Sequence, residues 1–329
     1  MKIAIIGSTG LVGREILKVL DEFQVNFDEI YFAASEKSVG KIIDFRNQQY
    51  SIKSIHEVLN LKPNISIFSA GSSVSLEYAP KFKNIGCYVV DNSSAWRMNE
   101  DIPLVVPEIN FDIIRKDDYI IANPNCSTIQ LVMVIYPIYH RYGLKRMVVS
   151  TYQAVTGTGK EAVEQLFGER SNDPNTKKVY PYPIDLNCIP QCDVFLENDY
   201  TKEEMKIINE TRKILGNQHL KITSTAVRVP VIGGHSESVN LELEKSFSVA
   251  DIKEILYQTP GVVVMDNPSE KEYPMPILAH KKNEVFVGRI RRDESIENGL
   301  NLWIVADNLR KGAATNAVQI AVRIQEKFF

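Results

Sequence analysis

Residues 1–20 read MKIAIIGSTGLVGREILKVL. Ile3 to Ile6 is a short, wholly apolar run, and Gly7 follows it at once. From Leu11 to Leu20 the apolar residues recur at helical spacing, with Val12, Ile16, Val19 and Leu20 on one face. This pattern predicts a buried strand, a tight turn and an amphipathic helix, the opening unit of a parallel α/β sheet. Within the turn, Gly7, Gly10 and Gly13 stand three apart. Glycines there let backbone approach a pyrophosphate, and the helix N-terminus adds N–H groups and a favourable dipole. The alternative is a plain strand-to-helix turn; the flanking strand and helix favour a nucleotide. Gly7, Thr9, Gly10, Leu11, Val12 and Gly13 are therefore candidate cofactor-binding residues.

The same alternation continues outward. Short apolar runs at 30–34, 65–70, 88–90 and 119–122 each end in small or polar residues. Strands of this kind, buried on both faces, bind ligands at their carboxyl ends. An NAD site usually places an acidic residue at the end of the second strand, to hold the ribose 2′-hydroxyl. Here that segment is Ala34-Ser35-Glu36-Lys37-Ser38. Ser35, Lys37 and Ser38 suit a 2′-phosphate and point to NADP, although the carboxylate of Glu36 could face a ribose instead. The segment Gly157-Thr158-Gly159-Lys160 is not a phosphate-cradling P-loop, because Ala154 and Glu161 occupy positions that motif reserves for Gly and Ser/Thr.

Beyond residue 140 the character changes. Runs at 147–156, 222–231, 238–244, 262–265, 285–290 and 300–306 predict strands, with helices at 201–215 and 309–327. Long stretches without intervening helix predict a mostly antiparallel sheet. Residues 171–193, with four prolines, predict a long surface or interface loop.

Composition excludes several classes. Hydrophobic residues make up 44% and charged residues 24%, as in ordinary globular chains. Lys+Arg (38) and Asp+Glu (41) nearly balance, against the basic excess of a general nucleic-acid binder. The longest apolar run, 131–139, is interrupted by Pro137 and is too short to span a membrane. A glycine turn at residue 7 comes too early for a signal peptide. Four cysteines are too few for a disulfide framework, and Cys188 and Cys192 lack the second Cys/His pair a zinc site needs, so no metal is expected. The expectation is a cytoplasmic protein with no membrane or nucleic-acid partner.

Cys126 follows the fifth strand, in Asn123-Pro124-Asn125-Cys126-Ser127-Thr128, and precedes an apolar helical stretch. Ser127 or Thr128 could cap that helix. A cysteine at a helix N-terminus feels the positive end of the dipole, which acidifies and activates the thiol. On position alone this reading and that of a small buried cysteine stand even. Cys87 lies inside a predicted strand and reads as core.

Six segments carry a family resemblance: GSTGLVG at 7–13, SSAWRM at 93–98, NPNCST at 123–128, TYQAVTGTG at 151–159, RVPVIGGHSE at 228–237 and ADNLRKGAA at 306–314. In this order they resemble aspartate-semialdehyde dehydrogenases across nearly the whole chain. The resemblance implies a Rossmann-type nucleotide domain (1–125 and 309–329) and an α+β catalytic and dimerisation domain (126–308). It implies NADPH-dependent reductive dephosphorylation of L-aspartyl 4-phosphate, on the route to lysine, methionine and threonine. Cys126 would be the nucleophile, His235 the acid/base group and Gln153 the residue orienting the acyl-enzyme. Arg228 would bind the substrate α-carboxylate and Glu203 its amino group. Arg97, Asn125 and Lys206 would hold phosphate. Thr156, Gly157 and Asn308 would hold the nicotinamide end. A homodimer or dimer of dimers, joined through the second domain's sheet, is implied as well. The remaining histidines, His56, His140, His219 and His280, lack such settings. Two other readings are open: an N-acetyl-glutamyl-phosphate reductase-like enzyme, and a non-enzymatic nucleotide-binding regulator.

Overall fold

The computed structural model describes residues 1–329, which divide into two compact units: 1–125 with 313–329, and 126–312.

The first unit contains β1 (Lys2–Ile6), α1 (Leu11–Glu22), β2 (Glu29–Ala33), β3 (Ile42–Phe45), β4 (Gln48–Ser51), α2 (Ile55–Asn60), β5 (Ile65–Phe68), α3 (Ser72–Asn84), β6 (Tyr88–Asp91), α4 (Pro107–Asn110) and β7 (Ile120–Ala122). Its five-stranded sheet runs β2-β1-β5-β6-β7, parallel throughout. Alternate strand residues feed opposite faces. Ile3, Ile5, Ile65 and Ile67 pack with Ile16, Val19 and Leu20 of α1, and with Val318 and Ile320 of the last helix. Ala4, Ile6, Phe68 and Val89 pack on the other face with Val58 of α2 and with Ala79 and Phe82 of α3. Helices on both faces make the strands continuous apolar runs, which is why they stood out in the sequence.

The second unit contains α5 (Cys126–Tyr142), β8 (Leu144–Ala154), α6 (Lys160–Arg170), α7 (Lys202–Ile214), β9 (Lys221–Val229), β10 (His235–Leu243), α8 (Val249–Tyr257), β11 (Val262–Val264), α9 (Pro276–Ala279), β12 (Val285–Asp293) and β13 (Gly299–Ala306). Its sheet runs β11-β12-β13-β10-β8-β9. The three central pairings are antiparallel and the two outer ones, β8 with β9 and β11 with β12, are parallel. The chain ends with α10 (Thr315–Phe328), in the first unit.

Four details differ from the sequence reading. The hairpin β3–β4 and the helix α6 were not expected. The hairpin's strands are mostly exposed, with Phe45 their one buried side chain, and α6 buries only Ala162, Gln165 and Leu166. Helix α5 starts at Cys126 itself, so Ser127 and Thr128 lie within its first turn, too late to be its N-cap. As expected, it runs on through Pro137, reaching Tyr142. Residues 309–312 belong with the second unit, and the chain rejoins the first at 313. The cause is local: Asp307 Oδ1 accepts the N–H groups of Leu309 and Arg310 (2.8 and 3.2 Å), and its carbonyl accepts that of Gly312 (3.2 Å). Residues 310–314 are thereby wound as a π-helical turn ahead of α10.

Candidate active site

In the first unit, the turn after β1 is built by two of its three glycines. Gly7 has a left-handed φ of +87°, and a Cβ there would sit 2.2 Å from Ser69 O. A Cβ on Gly13 would sit 2.2 Å from Gly7 O. These two are required by the turn itself. Gly10 is different: a Cβ there would meet nothing closer than Gly7 O at 3.5 Å. Gly10 is also the N-cap of α1 and offers no side-chain acceptor, so the helix's first N–H groups remain available to an anion. Ser35, Lys37 and Ser38 lie in a short 3₁₀ turn after β2, with Ser35 and Lys37 exposed. Arg97, nearly buried, donates from Nη2 to Asn92 O (2.8 Å), and Asn125 is nearly buried after β7. Burial raises the pKa of Asp91, with Ser93, Ser75 and Arg97 opposing.

In the second unit, Cys126 opens α5 and is partly exposed. Gln153, almost fully buried on β8, aligns the neighbouring groups. Its Nε2 donates to Ser127 Oγ (3.1 Å), next in the chain to Cys126, to Glu203 Oε1 (3.2 Å) on α7, and to Thr151 Oγ1 (3.3 Å). Glu203 Oε2 accepts from Lys206 Nζ (3.2 Å), which also bonds Asp193 Oδ2 (2.8 Å). Burial works against the charge on Lys206, but Glu203 and Asp193 outweigh it and raise its pKa.

Arg228 lies opposite Gln153 in the parallel register of β8 and β9. It donates from Nη1 to Ala154 O (2.7 Å). His235 begins β10 rather than sitting in a free turn, and is wholly buried. Its Nδ1 accepts the N–H of Ala154 (3.0 Å), while Nε2 has no partner. Burial, reinforced by Arg228, holds its pKa well below the usual histidine value. The ring is thus neutral at pH 7, and with Nδ1 used as an acceptor its proton resides on Nε2. Arg228 and His235 converge on Gly157. A Cβ there would lie 3.0 Å from Arg228 Nη1 and 3.2 Å from His235 Nε2. Thr156 Oγ1 donates to Asn308 Oδ1 (2.9 Å), joining two residues expected to act together.

Several contributors were not found from sequence. Asp193 completes the Lys206 ion pair. Gly312 packs against the first residue of α5, where a Cβ would fall 2.8 Å from Cys126 Cβ. Only the spacing after Ala306 marked it, and spacing does not show which glycine faces a cysteine. The other cysteines are set apart. Burial pushes the Cys87 thiol up to about 12, with Ser66 opposing. Burial likewise raises Cys192 to about 12, against Arg228, and Cys188 is exposed.

Comparison with known families places both units among the semialdehyde dehydrogenases. The family model "Semialdehyde dehydrogenase, NAD binding domain" matches residues 2–117, and "Semialdehyde dehydrogenase, dimerisation domain" matches 135–311. An aspartate-semialdehyde dehydrogenase of Aquifex aeolicus (strain VF5) is 51% identical, over 97% of this chain and 96% of its own. The crystal structure of aspartate semialdehyde dehydrogenase II of Vibrio cholerae, complexed with ASA, superposes with TM-score 0.96 at 41% identity, covering 100% and 99% of the two chains. The Candida albicans enzyme, solved with NADP, has TM-score 0.78 at 25% identity, covering 98% of each chain. The chain belongs to the aspartate-semialdehyde dehydrogenase family.

Proposed function

We propose that the chain catalyses NADPH-dependent reductive dephosphorylation of L-aspartyl 4-phosphate to L-aspartate 4-semialdehyde and phosphate. Cys126 Sγ attacks the acyl carbon, the C–O bond to phosphate breaks, and a thioester forms on the sulfur. A nicotinamide dinucleotide held beside Cys126 would supply hydride chemistry for reducing this thioester. The tetrahedral alkoxide formed by that reduction expels the Cys126 thiolate and leaves the aldehyde. Gly10 and the open N-terminus of α1 suit the pyrophosphate. Ser35, Lys37 and Ser38 suit a 2′-phosphate, and Thr156, Gly157 and Asn308 the nicotinamide end.

The side chains take complementary parts. Arg228 offers a planar cation to the α-carboxylate. Glu203 receives the amino group, while Arg97, Asn125 and Lys206 receive phosphate. Gln153 holds the region of Ser127 and Glu203 in one arrangement. His235 has a narrower part than general acid/base work. A neutral ring already accepting at Nδ1 is a donor at Nε2, so it stabilises the oxyanion that develops on the acyl oxygen. The observation that carries the reading is this unpartnered, buried Nε2 beside Arg228, both converging on Gly157.

The reading extends to assembly and setting. A second copy covers the outer face of the second sheet. Tyr152 and Trp303 pack with ring centroids 5.4 Å apart on that face, and exposed Met275 shares a groove with Trp303. No helix is long and apolar enough to cross a membrane, and the proposed setting is the cytoplasm, in amino-acid biosynthesis.

The test runs the reaction backwards. Aspartate semialdehyde, phosphate and NADP⁺ are mixed with the protein and reduced cofactor is followed by absorbance. Phosphate-dependent reduction is expected, and its absence overturns the assignment. Lys37→Glu should raise the KM for NADP⁺ far more than for NAD⁺; equal changes would place the 2′-phosphate elsewhere.

A further inference from the structure

Glu237 is the least explained charged side chain of the second unit. It sits on β10 two residues after His235 and points to the same side of the sheet. It is fully buried, with no bond at ordinary hydrogen-bond length to either carboxyl oxygen. Its register neighbours are Thr151 on β8 and Ile304 on β13. The polar side chain that reaches it is Gln130, from α5. No cation offsets its charge, and burial raises its pKa well above the usual carboxylate value, with Gln130 opposing. Burial without a cation disfavours the carboxylate there and favours the neutral acid.

Gln130 connects this acid to the site. It lies one helical turn after Cys126 and is itself fully buried. Its Nε2 donates to the carbonyl oxygen of His235 (3.3 Å). One carboxamide thus touches both the backbone of His235 and the side chain of Glu237, from the helix that Cys126 begins. Across the ring, the N–H of Ala154 fixes Nδ1. His235 is held from the helix side through its backbone and from β8 through its ring.

We infer that Gln130 and Glu237 form a positioning clasp that sets His235 relative to the first turn of the Cys126 helix. Neither residue touches substrate; both act through His235. An apolar core would bury the same area without fixing the register of helix against strand, whereas the directional bond from Gln130 Nε2 to the His235 carbonyl fixes it. The inference rests on the proposed role of His235 and assigns that role a support.

The test compares Gln130→Leu, Glu237→Leu, their double variant and Glu237→Gln, which keeps a neutral donor of the same shape. With the full-length protein, kcat and KM for aspartate semialdehyde are measured, and ¹⁵N-labelled histidine is observed by NMR. Each leucine variant should lose on the order of 10- to 100-fold in kcat, the cost of an ångström-scale misplacement, with KM little changed. The double variant should be no worse than either single one, and Glu237→Gln should recover most of the rate. The His235 ring signals should be sharp and alike in the parent and Glu237→Gln, and shifted or broadened in the leucine variants. Unchanged kcat in the leucine variants, additive losses, or a Glu237→Gln as impaired as Glu237→Leu would overturn the clasp. Should the parent protein show no aldehyde oxidation, the proposed function fails instead. The NMR comparison then decides the clasp alone: altered ring signals in the leucine variants support it, and unaltered ones overturn it.

Discussion

At the residue scale, the second unit gathers groups whose proton affinities differ from those in water. His235 is neutral because burial and Arg228 both disfavour a second proton, and the Ala154 N–H selects the Nε2–H form. Lys206 stays charged in a half-buried place because two carboxylates adjoin it. Glu237 is the counterpart, an acid with no cation. Its folded pKa is raised, so its contribution to stability is complete below the unfolded value near ~4.3 and is lost as pH climbs toward the folded value. His235 on the same strand is neutral, and Gln130, Thr151 and Ile304 carry no charge, so nothing facing Glu237 reverses the sign. Glu237→Gln removes this dependence. Denaturant unfolding of parent and variant from pH 5 to 8 should show the parent losing stability relative to the variant as pH rises, by up to about 1.4 kcal/mol per unit. Parallel curves would mean Glu237 ionises freely in the folded protein.

At the element scale, what could be read from sequence depended on how each element is stabilised. The five parallel strands are buried on both faces, so their apolar runs were visible. The β3–β4 hairpin and α6 rest on few buried side chains and left little pattern. The candidate residues were found by type and motif. Their partners Gln130, Asp193 and Gly312 were not, because each gains meaning only from a residue distant in the chain. The glycine turn was visible as a whole, but the division of labour within it was not. Gly7→Ala forces a side chain into a left-handed position and against Ser69 O, so the melting temperature should fall steeply. Gly10→Ala meets only Gly7 O, at an ordinary contact distance of 3.5 Å, and should leave melting nearly unchanged while weakening NADPH binding, measured by cofactor fluorescence. Gly10→Ala binding as tightly as the parent would remove the pyrophosphate from that turn.

At the scale of the whole molecule, the two units divide the labour by architecture. A parallel sheet presents strand ends and an open helix terminus to a dinucleotide. A mixed sheet presents β8, β9 and β10 side by side, which brings Gln153, Arg228 and His235 into one neighbourhood. The face carrying Tyr152 and Trp303 is the one proposed for a second copy. Tyr152→Glu would place a charge on it, and sedimentation velocity should then show a shift from dimer toward monomer. An unaltered sedimentation profile would locate the interface elsewhere.

The account depends most on the sulfur of Cys126 carrying the acyl group. Protein mixed with L-aspartyl 4-phosphate in the absence of NADPH, quenched in acid and digested, can be read by peptide mass spectrometry. An aspartyl adduct is predicted on the peptide containing Cys126, discharged when NADPH is added before the quench and absent from Cys126→Ala. Sustained turnover by Cys126→Ala, or an adduct confined to Cys188 or Cys192, would contradict it.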